Sequence, residues 1–339
     1  MTDYRIDGYI RPSADEPSAT LVRTSEGGLP AQVDLRPYCS DVEDQGVIGS
    51  CTANAIVGAL EYLQIRSGAP VTHLSRLYVY YNARRFSDCL DEDCGATMSH
   101  AMASLMGFGA CPEPNWPYDR DRWNMRPSED SYNRAVHFPG LHYANVKPGL
   151  DQKYALASGL PIIFGMDVPE NLMMVVGART GYMPPPENGA WEASSGGHAM
   201  LIVGYDDAKN AWLVRNSWGP GWGDGGHVWI DYNVMAYYGQ DDGFWTVGPL
   251  DQNKFFRLEG ASMQSVQQHV VASAPASVAE TISTVRSGLR NDLESNLAET
   301  RSGLRDRLRG PGAGGGYNTG PGAGGGYNRG PGAGGGYDD

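Results

Sequence analysis

No apolar run in the 339 residues approaches the roughly eighteen that a membrane-spanning helix needs, so the sequence offers no candidate for one. Basic residues are the minority: 26 Lys and Arg stand against 39 Asp and Glu, a formal charge of −13. That surplus of acid argues against binding a phosphate backbone, which calls for a basic patch, and no nucleic-acid partner is expected. The first thirty residues lack an apolar core and carry Asp3, Asp7, Asp15 and Glu16, so no Sec-type signal is visible. The expected location is the cytoplasm, or outside by a route that needs no amino-terminal signal. His73, His100, His137, His142, His227 and His269 show no metal-ligand spacing, and the acidic run Asp88–Asp93 lacks the EF-hand pattern and reads as a solvated loop. Neither a metal nor a cofactor is expected.

Cysteine is scarce too. The five are Cys39, Cys51, Cys89, Cys94 and Cys111, an odd number that leaves one thiol free if the others pair. A local Cys89–Cys94 bridge is conceivable, three pairings of the remaining four are open, and full reduction is equally compatible with a cytoplasmic chain.

Four segments differ in texture. Residues 1–28 are polar, hold Pro12, Pro17, Gly27 and Gly28, and read as an extended leader, too short for a folded inhibitory domain. Residues 29–258 carry the tryptophans and the short apolar runs of a globular domain. In 259–309, Val278, Ile282, Val285, Leu289, Leu293, Leu297, Leu304 and Leu308 form a slowly drifting helical stripe, a surface for self-association through 278–308. Its Arg-Ser-Gly-Leu-Arg motif occurs at Arg286 and again at Arg301, and each internal glycine costs about 1 kcal/mol relative to alanine. Residues 310–339 repeat Gly-Pro-Gly-Ala-Gly-Gly-Gly-Tyr from Gly310, Gly320 and Gly330, a composition that cannot bury enough apolar surface to order itself.

The chemistry is concentrated in three places. Gln45-Gly-Val-Ile-Gly-Ser-Cys51 is a glycine-rich turn that leads into a helical pattern over Ala53–Arg66, with Ala55, Ile56, Ala59, Leu60 and Leu63 on one face and Gly68 and Pro70 as the stop. Cys51 thus sits at a helix amino-terminus, where partial positive charge favours thiolate, the attacking species. Gly196-Gly-His198-Ala-Met-Leu-Ile-Val-Gly-Tyr205 reads as an apolar strand with His198 at its mouth. Ala211-Trp-Leu-Val-Arg-Asn216-Ser-Trp-Gly-Pro-Gly-Trp222 reads as a second strand, and the short link between them makes a hairpin that brings His198 and Asn216 to one edge.

The order Gln–Cys–His–Asn, in Gly-Ser-Cys, Gly-His-Ala and Asn-Ser-Trp-Gly-x-Gly-Trp-Gly contexts, resembles the papain-like C1 cysteine peptidases, as does Leu29-Pro-Ala-Gln-Val-Asp34-Leu-Arg36. The resemblance spans about 29–258, and the Cys-Thr-Ala-Asn-Ala form is most similar to a bacterial branch, the xylellain-like enzymes. It implies an α+β fold with a helical lobe (34–148), an antiparallel β lobe (149–258) and a disordered or partly helical carboxy-terminal extension.

The resemblance also implies roles. Cys51 would be the nucleophile, His198 its acid–base partner, Asn216 the orienter of the imidazole, and Gln45 with the Cys51 amide the oxyanion donors. Trp218 would shield the His–Asn pair, and Gly95, Ala96, Gly197 and Ala199 would line the path of an extended peptide. Departures are specific. Ile48 and Thr52 stand where the family signature has a cysteine and an aromatic residue, so the usual disulfide from the first of these cannot form. The glycine pair for substrate backbone is reduced to Gly95-Ala96, and Gly196-Gly197 leaves a small-sided pocket suited to an apolar residue. The implied activity is hydrolysis of a peptide or protein substrate through a thioester. The rivals are acyl transfer or deamidation on one partner protein, and a silent binding module. The leader is expected to lie over the cleft and hold the enzyme latent.

Overall fold

The computed structural model describes residues 4–11, 19–24, 27–138, 141–250, 256–260, 272, 275–278 and 280–283. One compact unit covers Met1–Gly288, and the remainder, Leu289–Asp339, lies outside the described residues together with the glycine repeats and most of the leucine stripe.

The expected α+β architecture is present as helices beside a mixed sheet. Its elements, in chain order, are β1 (Tyr9–Ile10), β2 (Ala19–Arg23), β3 (Gln32–Asp34), α1 (Cys51–Arg66), α2 (Arg76–Arg85), β4 (Ala96–Thr97), α3 (Met98–Phe108), α4 (Glu129–Asn133) and β5 (His142–Val146). They continue with α5 (Leu150–Ala157), β6 (Ile162–Pro169), α6 (Ala178–Thr180), β7 (Tyr182–Met183), β8 (Ser194–Asp206), β9 (Ala211–Arg215), β10 (His227–Asp231), α7 (Tyr232–Tyr238), β11 (Gly239–Gly248) and β12 (Phe256–Gly260).

The large sheet runs β12-β2-β5-β11-β6-β8-β9-β10-β7, with β3 on the outer part of β8. It is mostly antiparallel, as expected, with two parallel pairs. β2 lies parallel to β5 and β7 parallel to β10, because neither pair is joined by a hairpin. β5 belongs to this sheet although its sequence position fell in the stretch assigned to the helical lobe.

Helix α1 is the spine. Every residue from Cys51 to Tyr62 is buried, and side chains such as Ile56, Val57 and Leu60 each contribute about 1.5–3 kcal/mol by leaving water. The helix packs beside β8 and β9, where a Cβ on Gly58 would stand in ordinary contact, 3.6–3.8 Å, with the Arg215 guanidinium and Leu201. The helix ends at Ser67, and Gly68 follows at φ +72. Arg215 is itself buried and donates to the carbonyls of Ser40 and Asp41 at 2.5 and 2.6 Å, tying the start of the domain to β9.

The hairpin inferred from sequence is formed by β8 and β9, with Leu201 opposite Arg215 and Asn210 at φ 54 in the turn. Its fully buried run from His198 to Asp206 packs on α1. On the helical side, Val278 and Ile282 are buried, Ile282 lies against Gly107 of α3, and Arg85 donates to Thr281 Oγ1 at 2.8 Å. The first two positions of the leucine stripe are therefore used within the chain. No helix among the described residues is long and apolar enough to cross a membrane.

Candidate active site

Cys51 is the first residue of α1, and no side chain caps that helix end. Ser50, which could have done so, instead pairs its hydroxyl with Tyr118 Oη at 2.6 Å and accepts from Asn54 Nδ2 at 3.0 Å. The turn before it is closed by Gly46 at φ +59, a left-handed position that suits glycine. Tyr118 also donates to the Gln45 carbonyl at 3.0 Å, so one tyrosine braces both ends of the turn.

Across the site, His198 Nε2 lies 2.8 Å from Asn216 Oδ1. The Ser217 amide donates to the same Asn216 oxygen at 2.8 Å, which fixes the orientation of the carboxamide. An oxygen there can only accept, so His198 Nε2 carries the proton and the neutral ring presents the lone pair of Nδ1. Nδ1 is buried with no hydrogen-bond partner. Trp218 stacks on the imidazole at 4.6 Å and is itself buried, so the His–Asn bond is shielded from water. Ala199, expected along the substrate path, is buried in β8 opposite Gly165, and its amide is among the groups that favour the Cys51 thiolate.

Gln45 is knitted to the same wall. Its amide donates to the Ser217 carbonyl at 2.8 Å, its side-chain oxygen accepts from Ser217 Oγ at 2.5 Å, and Nε2 donates to the Ile48 carbonyl at 2.9 Å. Nε2 carries a second hydrogen beyond the one taken by Ile48.

Cys51 and His198 are both 0% exposed. Burial pushes the thiol up to about 11 from 9.0, and the nearby amides of Ala199, Thr52 and Cys51 only partly oppose it. Burial likewise lowers His198 to about 4, against the raising influence of Asn216. The helix amino-terminus was expected to favour thiolate. In this arrangement desolvation wins, and both groups are neutral.

The leader, residues 4–11, runs along the walls of this site. Tyr4 stacks on Trp218 at 4.9 Å, and the Gly8 carbonyl accepts from the Ala96 amide at 3.0 Å. Tyr9 and Ile10 pair in parallel with Ala96 and Thr97, so the leader runs alongside the Gly95-Ala96 pair. The walls are glycine where backbone meets backbone. A Cβ on Gly95, Gly196 or Gly197 would come within 2.3, 2.3 and 2.5 Å of the carbonyl oxygens of Gly8, Ile6 and Tyr9 respectively. A Cβ on Gly165 would overlap the Tyr9 ring at 2.0 Å. Arg11 pairs with Asp167 at the far end.

One contributor was misread from sequence. Asp93, assigned to a solvated acidic loop, is mostly buried beside Cys51: Arg5 Nη1 reaches its Oδ2 at 2.6 Å, and the Gly49 amide reaches its two oxygens at 3.0 and 3.2 Å. Its loop is closed by a Cys89–Cys94 disulfide, while Cys39, Cys51 and Cys111 are free. The neighbouring Gly95-Ala96 was the available signal, since a residue two before a substrate-path glycine must lie near the site.

The fold and this arrangement are those of a thiol-dependent hydrolase of the two-lobe kind. The profile described as papain family cysteine protease matches residues 29–243, and the chain belongs to that family. It is similar to xylellain, a cysteine protease from Xylella fastidiosa, with 32% identity and a TM-score of 0.63 over 71% of this chain and 95% of that one. An uncharacterized peptidase C1-like protein of Acanthamoeba polyphaga mimivirus is 34% identical over 214 residues, 60% of this chain and 68% of that protein. Vignain of Vigna mungo is 29% identical over 237 residues, and the match covers 66% of this chain and 60% of vignain's length.

Proposed function

We propose that the chain hydrolyses peptide bonds through a Cys51–His198–Asn216 triad by way of a thioester acyl-enzyme. The observation that carries this reading is the unpartnered His198 Nδ1 in a ring whose other nitrogen is committed to Asn216. In the open enzyme that lone pair takes the Cys51 proton, and the thiolate–imidazolium pair forms once water and substrate replace the leader. The thiolate attacks the carbonyl carbon, and His198 then protonates the departing amine. Gln45 Nε2 and the Cys51 amide receive the developing oxyanion, a contribution of about 10²–10³ in rate for each such donor. Gly95, Ala96 and Gly197 line the path of the extended substrate, where bulk would collide with its backbone, and Trp218 covers the His–Asn bond.

The second part of the proposal is that residues 4–11 hold the enzyme latent. They lie where a substrate would lie, and their placement excludes water from both reacting groups. The test is hydrolysis of a fluorogenic peptide library by the full chain and by Cys51→Ala. Hydrolysis that persists in the variant would overturn the triad.

The closed form has a pH signature. In Cys51→Ala, where no thiolate pairs with the ring, an imidazole of ordinary pKa 6.5 when solvated is held at about 4 in the closed form, so only the open form takes up a proton between those values. Closure is therefore fully favoured above about 6.5 and is lost as pH falls towards 4, by about 3 kcal/mol at most. Hydrogen-exchange protection factors for residues 4–11 of Cys51→Ala, measured from pH 7.5 to 4.5, are expected to fall by up to about two orders of magnitude. Constant protection across that range would contradict the coupling.

A further inference from the structure

Three contacts converge on one carboxylate that the triad does not use. Gly49 N–H points at both oxygens of Asp93, at 3.2 and 3.0 Å. The Tyr80 hydroxyl donates to Oδ1, and its own oxygen accepts from the Gly95 amide at 3.1 Å. Arg5 donates to Oδ2 and to the Asp93 carbonyl, both at 2.6 Å. The side chain is 16% exposed with the leader in place, so its charge is satisfied by these donors more than by water.

The position of Gly49 gives the contact its consequence. It lies two residues before Cys51, inside the turn that aims the Cys51 amide and sulfur. A Cβ there would stand 3.2 Å from both Asp93 Oδ1 and Tyr80 Oη, a tight fit that would press on the same carboxylate. The partner loop is itself held rigidly: Arg84 donates to the carbonyls of Cys89, Leu90 and Glu92, and the Cys89–Cys94 bridge closes it. A fixed loop gripping a glycine turn through a charged acceptor is a means of setting the turn's position. Displacements on the order of 1 Å at a reacting group cost about a hundredfold in rate.

We propose that Asp93 is a positioning residue, which fixes the nucleophile turn through the Gly49 amide, and that Arg5 of the leader docks on the same carboxylate in the closed form. This rests on the peptidase reading above. The two roles need different properties of the side chain. Positioning needs an acceptor oxygen, and docking needs a negative charge.

The experiment uses the full chain, with kcat expressed per Cys51 titrated by an epoxide thiol reagent, so that latency and turnover are measured separately. The substrates come from a fluorogenic peptide-amide library. Asp93→Ala is expected to lose about ten- to a hundredfold in kcat per titrated thiol with KM changed less than threefold. Asp93→Asn keeps the acceptor, so its kcat stays within about threefold of the parent while the fraction of open enzyme rises. Arg5→Ala reproduces that rise with kcat unchanged. Should Asp93→Ala not fold, Tyr80→Phe, which frees the carboxylate to turn, is expected to lose about three- to tenfold in kcat. Unchanged kcat in Asp93→Ala, or in Tyr80→Phe where that variant stands in, would overturn the positioning role. So would an Asp93→Asn loss as large as that of alanine. An open fraction unmoved by Arg5→Ala would overturn the docking role. Equal hydrolysis by Cys51→Ala would instead sink the peptidase reading and leave the geometry at Gly49 untouched.

Discussion

Replacing Cys51 by alanine is expected to lower kcat/KM for peptide hydrolysis by about four orders of magnitude or more, with the fold intact. The size follows from the chemistry. The thiol is the nucleophile of the proposed triad, and without it no acyl-enzyme forms. His198→Ala should fall nearly as far, and the double variant no further, because the two residues act on one proton. Asn216→Ala is expected to cost less, since Trp218 still stacks on the ring and limits its rotation. The check is steady-state hydrolysis by the four variants, with circular dichroism to establish that each is folded. Strictly additive losses would argue against a shared proton transfer.

The second large effect is an increase. Gly8 crosses the nucleophile turn at the point of closest approach, where an added Cβ would lie 2.7 Å from the Gly49 oxygen and 2.8 Å from its Cα. Both atoms are backbone of the turn that Asp93 holds, so neither side can yield cheaply. Over-packing of this kind costs about 1–3 kcal/mol, roughly 5- to 150-fold in the closed population. Gly8→Leu should therefore raise the initial hydrolysis rate of the full chain by about ten- to a hundredfold without acid treatment. Gly28→Leu is the matched control, because nothing lies within 4 Å of a Cβ at that position. Equal initial rates for Gly8→Leu and the parent would remove the case for a latent leader.

The residues of the site were legible where chemistry and local pattern coincide. Gly-Ser-Cys51 before an apolar helical face, and two apolar strands joined by a short link, each specify geometry over a few residues. The β8–β9 hairpin then brings His198 to Asn216 with no further information needed. What stayed hidden depends on long-range pairing. Asp93 looked like one acid among four in a polar loop, and its contact with Gly49 spans 44 positions. Ala19–Arg23 was too short to show alternation, yet β2 completes the sheet between β5 and β12. The thiol was misjudged for a related reason. The helix amino-terminus is visible in sequence, but the burial that outweighs it comes from tertiary packing around the sulfur.

The most direct test concerns the reacting sulfur. Full-length protein and Gly8→Leu would be treated with an epoxide peptidyl inhibitor, and the adduct mapped by mass spectrometry while hydrolysis is followed. One adduct on Cys51 is expected, faster in Gly8→Leu, with activity lost in step with labelling and Cys39 and Cys111 untouched. Labelling elsewhere, or full activity surviving complete modification of Cys51, would contradict an enzyme built on that thiol.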